Sequence, residues 1–406
     1  MANATAQPVY EQRGPGLPTR ATLTHPSSKR IMRKLLTLGH SYVVSLNRRL
    51  AHEMALAGRG KWEVTCVAPR YFHGGNDLAP VTLEATLEEA NQLHAVPAYF
   101  TSRLHVFSYG LELRSLLRQR WDMVHAWEEP YILAGWEISR WVQSGTKLVY
   151  RTAQSNSKVY PPPFSWFERS SMARACGWIC SGRSVEENLR RRAGYERPHL
   201  LSPLGVDLSV FSPSSSQRAA AASKLGWQVS GPPVVGYVGR FVPAKGLHLL
   251  MAALDAVTEP WRALFLGAGA LEGELREWAA RHQDRVRILR VPHEDVPAYL
   301  NLMDVLCAPS QTTAAWREQF GRMLVEAFAC SVPVIGSDSG EIATVLGDAG
   351  VVVGETDVAG WTRAIQDLLA SPDRRRELGA RGLDLARSHY AWPVVAGQYL
   401  SFFDQL

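Results

Sequence analysis

Short apolar runs alternate along the chain with stretches whose apolar positions recur every three to four residues, the period of an amphipathic helix. The runs KLLTLG (34–39), WEVTCVAP (62–69), DMVHAW (122–127), KLVYRT (147–152) and GWICSG (177–182) read as strands, and LNRRLAHEMALAG reads as a helix after the first. An irregular stretch, PHLLSPLGVDLSVFSP (198–213), breaks the alternation, and SPSSSQRAAAAS follows it. That shift in composition marks a linker over 206–222. The pattern then restarts with PVVGYVG (233–239), RALFLGAG (262–269), VRILRV (286–291), DVLCAPS (304–310), VPVIGS (332–337) and GVVV (350–353). Strand–helix alternation predicts an α/β fold with parallel sheets. The restart predicts two doubly wound domains, over 29–205 and 223–385, with ligands at the C-terminal strand edges and in the cleft between them.

The length of 406 residues suits two such domains better than one core. No apolar run approaches the roughly 20 residues that cross a bilayer, and the N-terminus lacks the apolar centre of a signal peptide. Residues 1–28 are polar and rich in Pro, Gly and Thr, and read as a disordered arm. The cysteines Cys66, Cys176, Cys180, Cys307 and Cys330 are odd in number, and Cys176 and Cys180 have no matching second pair. No zinc site is expected, and a reducing cytoplasm fits.

Charge is uneven. Residues 1–200 hold 26 Lys+Arg against 16 Asp+Glu, a net of +10, and the remaining 18 against 22 give −4, which together make the +6 of the whole chain. The basic excess includes RKLL, LRSLLRQRW and LRRRAGYER. It reads either as a solvated face or as a surface turned toward anionic lipid or an anionic substrate. Nucleic acid ranks below both, since no nucleic-acid module is visible.

Four groups of residues could carry chemistry. In GYVGRFVPAKGL (236–247), Arg240 and Lys245 follow a strand beside Gly239 and Gly246, which suits a diphosphate; an ordinary basic surface loop is the plain alternative. Gly267 and Gly269 form a partial dinucleotide fingerprint, but Glu272 stands where its third glycine would fall, so a tight turn explains them better. In EQFGRMLVEAF, Phe320-Gly321 would open a helix whose free amides favour a phosphate or sugar oxygen. Glu318 precedes that helix and could accept from ligand hydroxyls. Glu326 lies inside it beside an apolar stripe, where a carboxylate must be paired or hydrogen-bonded, and a ribose diol is a natural partner. Singly, each glutamate reads as a surface charge. His125 closes a strand and reads either as a cleft residue or as a satisfied core histidine.

Taken together, PLGVDLSVF, GRFVPAKG, GAGALEGEL, DVLCAPS, EQFGRMLVEAFACSVPVIGSDSGE and GDAGVVV occur in an order that resembles the retaining glycosyltransferases of family 4, also called glycosyltransferase group 1. The resemblance is dense over roughly 200–355 and looser before it, where DMVHAWEEP and LNRRLAHEMALAG match. It implies the GT-B architecture: two Rossmann-like domains facing a cleft, acceptor on the first and sugar nucleotide on the second. Residues 386–406 would be a C-terminal helix packing back toward the first domain. Arg240 and Lys245 would hold the donor diphosphate, Glu318 the transferred sugar, Glu326 the ribose, and His125 would sit near the sugar. Gly239, Val291, Phe320, Gly321, Arg322, Leu324 and Val325 would complete the donor site. The family's Gly-Gly loop after the first strand is LGHSYVV here, so Gly39, His40 and Ser41 stand on the acceptor side.

The implied reaction is metal-independent transfer of a hexose, with retention, from a UDP-, GDP- or ADP-sugar to a hydroxyl acceptor in polysaccharide or glycoconjugate synthesis. The acceptor could be lipid-linked or anionic, and the protein would be cytoplasmic or peripheral at the inner membrane face. The family's front-face mechanism lets the leaving phosphate help deprotonate the acceptor, so no dedicated base is expected. A sugar-nucleotide epimerase of the same fold and a silent partner in a polysaccharide assembly complex remain alternatives. A NAD(P)-dependent oxidoreductase ranks below both.

Overall fold

Val, Ile and Leu fill both faces of the expected strands, and such strands are stable only between two layers of helices. The computed structural model, which describes residues 32–74, 80–85, 89–155, 157–314 and 316–406, has two of these sandwiches. The expected arm over 1–28 lies outside the described residues. The first sheet has seven strands in the order Gln92–Val96, Trp62–Pro69, Arg33–Leu38, Met123–Ala126, Lys147–Arg151, Gly177–Cys180, His199–Leu201, all parallel. The second has six in the order Val286–Leu289, Arg262–Leu266, Val234–Val238, Val305–Ala308, Val334–Ser337, Gly350–Val353, again parallel. Each sheet begins in its middle and winds outward in both directions. The reversal lies between Arg33–Leu38 and Met123–Ala126 in the first, and between Val234–Val238 and Val305–Ala308 in the second.

The two edge strands of the first sheet escape the sequence pattern. Gln92–Val96 is mostly exposed, with Gln92 and His94 interrupting its apolar run, and His199–Leu201 is only three residues long. The expected linker over 206–222 needs correction. Residues Ser215–Lys224 are a helix, capped by Ser214, whose hydroxyl accepts from the Gln217 amide at 3.2 Å. Its Ala221 and Ala222 enter the core of the second domain. The serine-rich run is a helix start rather than a spacer.

The last helix, Trp392–Gln405, lies on the first sheet although its sequence follows the second. Trp392, Val395, Tyr399 and Phe403 bury against Leu35, Met123, Val149 and Ile179. Each such large apolar side chain contributes about 2 kcal/mol of burial. Asp404 near its end pairs with Arg33 and Lys61.

This helix also decides the place of His125. Successive residues of a strand face opposite ways, so Val124 and Ala126 enter one core while Met123 and His125 face the C-terminal helix. The imidazole is fully buried, 5.4 Å from the Tyr399 ring and 5.8 Å from Phe403, with Nδ1 bonded to the Thr37 hydroxyl at 2.8 Å. It does not reach the cleft, contrary to the expectation. Burial, with the Arg151 charge nearby, pushes it down to about 3.

Unfolded, this imidazole takes a proton below its ordinary value, whereas the folded one stays neutral down to about 3. Its share of stability is therefore full above the ordinary value and is lost as pH falls. Between pH 7 and pH 5 the loss should reach about 2 kcal/mol. The substitution His125→Phe should remove it, so urea midpoints at the two pH values should differ less in the variant; equal differences in both proteins would refute this.

Candidate functional site

The loops that leave the strands at a winding reversal diverge to opposite faces of the sheet and open a crevice. In the second domain one wall of that crevice is the loop 239–246. Gly246 is left-handed at φ 70°, and a Cβ there would lie 1.8 Å from the carbonyl oxygen of Pro309 on the other wall. Only glycine lets the walls approach so closely, and the approach brings Lys245 onto Glu318. The two form an ion pair, with side chains only 13% and 10% exposed. Glu318 also accepts from the Ser310 hydroxyl at 3.1 Å, and the Lys245 ammonium lies 4.8 Å from the centre of the Trp316 ring. Arg240 follows the same strand as Lys245 and is exposed. Thus two of the expected catalytic residues meet directly.

The helix after Glu318 runs Arg322–Ala329, with left-handed Gly321 as its cap at φ 78°. It starts slightly later than the sequence suggests. Leu324 and Val325 are fully buried in the core and the Phe320 ring packs on Tyr390 at 5.9 Å. These three expected donor contacts can therefore offer only backbone atoms, because the stripe that carries them is the face holding the helix to its sheet. Val291 is half-buried against the same core. Glu326 is buried and accepts from Nε2 of His293 at 3.0 Å, which supplies the partner its burial demands. His293 and Arg322 line a cavity of about 820 Å³ shared with Ser45 and Arg49 of the first domain. Arg322 donates to Asn47 Oδ1 at 2.8 Å, and burial, partly offset by Glu326, holds its guanidinium below the usual arginine range.

The first domain has a matching crevice. A Cβ on Gly39 would lie 2.9 Å from the Trp127 carbonyl oxygen, so the loops after Arg33–Leu38 and Met123–Ala126 also touch. His40 and Ser41 line a cavity of about 460 Å³ with Trp127, Glu128, Tyr131 and Tyr160, and its far wall is Trp316 and Arg317 of the second domain. The rings of Tyr131 and Tyr160 stack at 4.0 Å. Glu129 accepts from the Thr152 hydroxyl, the Ala153 amide and the Gln154 side chain, although burial still pushes its carboxyl up. His293, Trp316 and Glu128 were not singled out from the sequence. Only Glu128 left a trace there, as one of two acids directly after a strand.

Among the described residues, further polar ties cross the cleft besides Arg322–Asn47. Glu341 accepts from the amides of Arg183 and Ser184, at 3.1 and 2.6 Å, at the start of the helix Arg183–Arg190. Gln319 donates to the Ala153 carbonyl at 2.8 Å, and Arg317 to that of Ser155.

Residues 225–384 match the family model described as Glycosyl transferases group 1. The chain is 36% identical over 202 residues to a GDP-mannose-dependent alpha-(1-6)-phosphatidylinositol monomannoside mannosyltransferase of Mycolicibacterium smegmatis, a match that covers 47% of this chain and 52% of the relative. It is 31% identical over 253 residues to a D-inositol 3-phosphate glycosyltransferase of Xylanimonas cellulosilytica, covering 59% of each. The chain thus spans little more than half the length of the curated relatives it matches. Among solved structures, a sucrose-phosphate synthase of Thermosynechococcus elongatus superposes with a TM-score of 0.68 at 21% identity, over 92% of this chain and 99% of the other. A glycosyltransferase of Rickettsia africae gives 0.72 at 14% identity, over 92% and 98%. At these identities the superpositions establish the fold.

Removing one member of a buried ion pair strands the other. Lys245→Met should therefore destabilise the second domain by about 3 kcal/mol, and Glu318→Gln added to it should restore much of that loss. Denaturant unfolding of the two singles and the double checks this; additive losses would contradict the coupling.

Proposed function

We propose that this chain, a glycosyltransferase of group 1 with the GT-B fold, moves a hexosyl group with retention from a nucleoside-diphosphate sugar to a hydroxyl acceptor. The observation that carries the reading is the convergence of Lys245, Glu318 and Ser310 at the winding reversal of the second sheet, with Glu326 and His293 on the same helix-and-loop face. A cation and a carboxylate that neutralise each other can be parted by a ligand that satisfies both. A sugar diphosphate does so, because its phosphates take the lysine and its hydroxyls take the glutamate. Arg240 and Lys245 then stabilise the charge that grows on the leaving diphosphate, without a metal. Glu326 and His293 meet the ribose end.

The acceptor belongs to the first domain, in the cavity walled by Trp127, Tyr131 and Tyr160. Flat aromatic faces suit the C–H faces of a sugar ring, and the wider cations Lys158 and Arg317 suit an anionic group beside it. The relatives named for phosphatidylinositol mannoside and inositol phosphate point to the same chemistry. Such an acceptor would be met at a membrane surface; among the described residues no helix is long and apolar enough to cross a membrane.

Thermal unfolding with UDP-, GDP- and ADP-sugars tests the donor half. The matching donor at a hundred times its Kd should add about 2.7 kcal/mol, and no shift with any of them would refute the reading. Calorimetry should then show Glu326→Gln weakening the bare nucleoside diphosphate, while Glu318→Gln leaves that binding nearly intact and impairs sugar transfer. Equal losses for the bare nucleotide would contradict the division.

On the acceptor side, anionic vesicles should retain the protein at low salt and release it at high salt, since each exposed Lys or Arg near such a surface contributes about 1 kcal/mol. Co-sedimentation is the measurement, and indifference to the vesicles at low salt would refute surface docking.

A further inference from the structure

We propose that the loops 99–106 and 159–166 of the first domain, with the groove between them, form the surface that meets an anionic bilayer and lets a lipid acceptor reach the cavity beside His40; this rests on the acceptor half of the reading above. The first loop is closed at its base. The Tyr99 amide donates to the Ser108 carbonyl at 2.8 Å, and the Ser108 amide to that of Tyr99 at 3.1 Å. Phe107 and Tyr109 anchor it from the core, and the His105 carbonyl accepts from the Leu133 amide at 3.0 Å. Phe100 is turned the other way. It is 73% exposed, and its backbone is left-handed at φ 57°, a conformation that a bulky side chain rarely adopts. The Arg103 amide holds the turn by donating to the Phe100 carbonyl at 3.0 Å. A strained backbone that presents an apolar ring to water stabilises nothing within the fold, which points to a partner outside it.

The second loop lies alongside the first. The rings of His105 and Phe164 meet edge-on at 5.7 Å. Val159 is 97% exposed, and half-exposed Trp166 is braced by Trp136 at 5.2 Å. Between the loops runs a groove of about 910 Å³, walled chiefly by Leu104, Val106, Tyr160, Pro161 and Phe164. Leu104 and Tyr160 also line the cavity beside His40, so the groove adjoins the space assigned to the acceptor. Walls of Leu, Val, Pro and Phe suit hydrocarbon. Sugar hydroxyls would find few partners there, since the Tyr160 hydroxyl already donates to Gln154 at 3.0 Å.

Charge selects the occupant. Arg103, Lys158 and Arg169 are exposed on these loops and the helix that follows, and none is paired with a carboxylate among the described residues. Arg169 comes three residues after Trp166 on the helix Phe164–Arg174, so the two share a side. Glu112, next to the exposed Leu111, is taken up by Arg70 at 2.8 Å. Apolar and aromatic side chains interspersed with free cations match the surface of an anionic bilayer, with phosphates outermost, hydrocarbon beneath and aromatic rings at the boundary. Continuity with the cavity beside His40 favours a lipid over a protein partner. A lipid's headgroup would enter that cavity while its chains stay along the groove.

The test uses the full chain and two kinds of vesicle at low salt, phosphatidylcholine alone and phosphatidylcholine containing phosphatidylinositol. Co-sedimentation should show the double variant Phe100→Ser, Trp166→Ser binding the anionic vesicles about tenfold more weakly or worse, with its melting temperature and its affinity for the sugar nucleotide unchanged. Wild type should bind phosphatidylcholine alone at least about tenfold more weakly than the anionic vesicles, because the three cations then lose their partners. Hydrogen exchange of the wild type, which needs no substitution, should show 100–106 and 159–166 protected when anionic vesicles are added. Equal binding by wild type and double variant, or protection confined to other segments, would overturn the proposal. So would retention of the wild type on dextran that the double variant loses, which would assign the groove to a glycan chain. A wild type that binds a sugar nucleotide but ignores the vesicles would sink this surface alone. One that binds vesicles through these loops but no sugar nucleotide would instead defeat the transfer reading.

Discussion

A parallel sheet that starts in its middle must wind away in two directions, and the loops on either side of the start cannot cover the gap between them. This chain makes that start twice. Each crevice holds the same device, a buried carboxylate reaching a cation-forming side chain from the opposite wall: His40–Glu128 in the first sheet and Lys245–Glu318 in the second. Desolvation makes such pairs weak stabilisers, so their recurrence at the two reversals is better explained by ligands than by folding. Glycine at 39 and 246 is what lets the walls close to that distance.

Two crevices are useful only if they face each other. The C-terminal helix, laid on the first sheet after the chain has built the second, joins the two domains a second time. Across the cleft, Glu341 satisfies two amides at the start of the helix Arg183–Arg190, groups that no residue of that helix can satisfy. A Cβ on Gly182 would lie 2.5 Å from the Glu341 side chain, so the first domain leaves room for a carboxylate of the second. Together with Arg322–Asn47, these contacts set the cavity beside His40 against Trp316 and Arg317.

Most of the strands were legible because burial demands unbroken apolar runs; the two edges of the first sheet were not, one being largely exposed and the other only three residues long. The buried carboxylate of Glu326 was legible for a related reason. A glutamate amid Leu324, Ala327 and Phe328 has to have a partner, although the sequence could not say that the partner is His293. His125 misled because a strand end looks like a cleft from either parity, and only the C-terminal helix, some 270 residues later in the chain, decides which face it meets. Glu128 was visible merely as an acid after a strand. Its meaning depends on His40, 88 residues away, and on no local pattern. The helix Ser215–Lys224 hid in a run of Ser and Ala because its apolar face is made of alanines, too small to mark a period.

The same contacts change what the basic first half can mean. Arg48 is almost wholly buried, bonded to Glu89 and to backbone carbonyls of Tyr42 and Glu84. Arg151 lies over Trp127 and donates to Tyr399, while Arg192 is paired with Glu168. Arg197 donates to the Ala173 carbonyl at 3.0 Å. These arginines are thus committed to the fold rather than free to meet a partner. Lys158, Arg190 and Arg191 are exposed, and Lys158 lines the cavity beside His40. Long-range attraction falls off within a Debye length, about 8 Å in physiological salt, so cations near the cavity mouth weigh more than the total. A charge placed there can orient an anionic group beside the aromatic walls of that cavity.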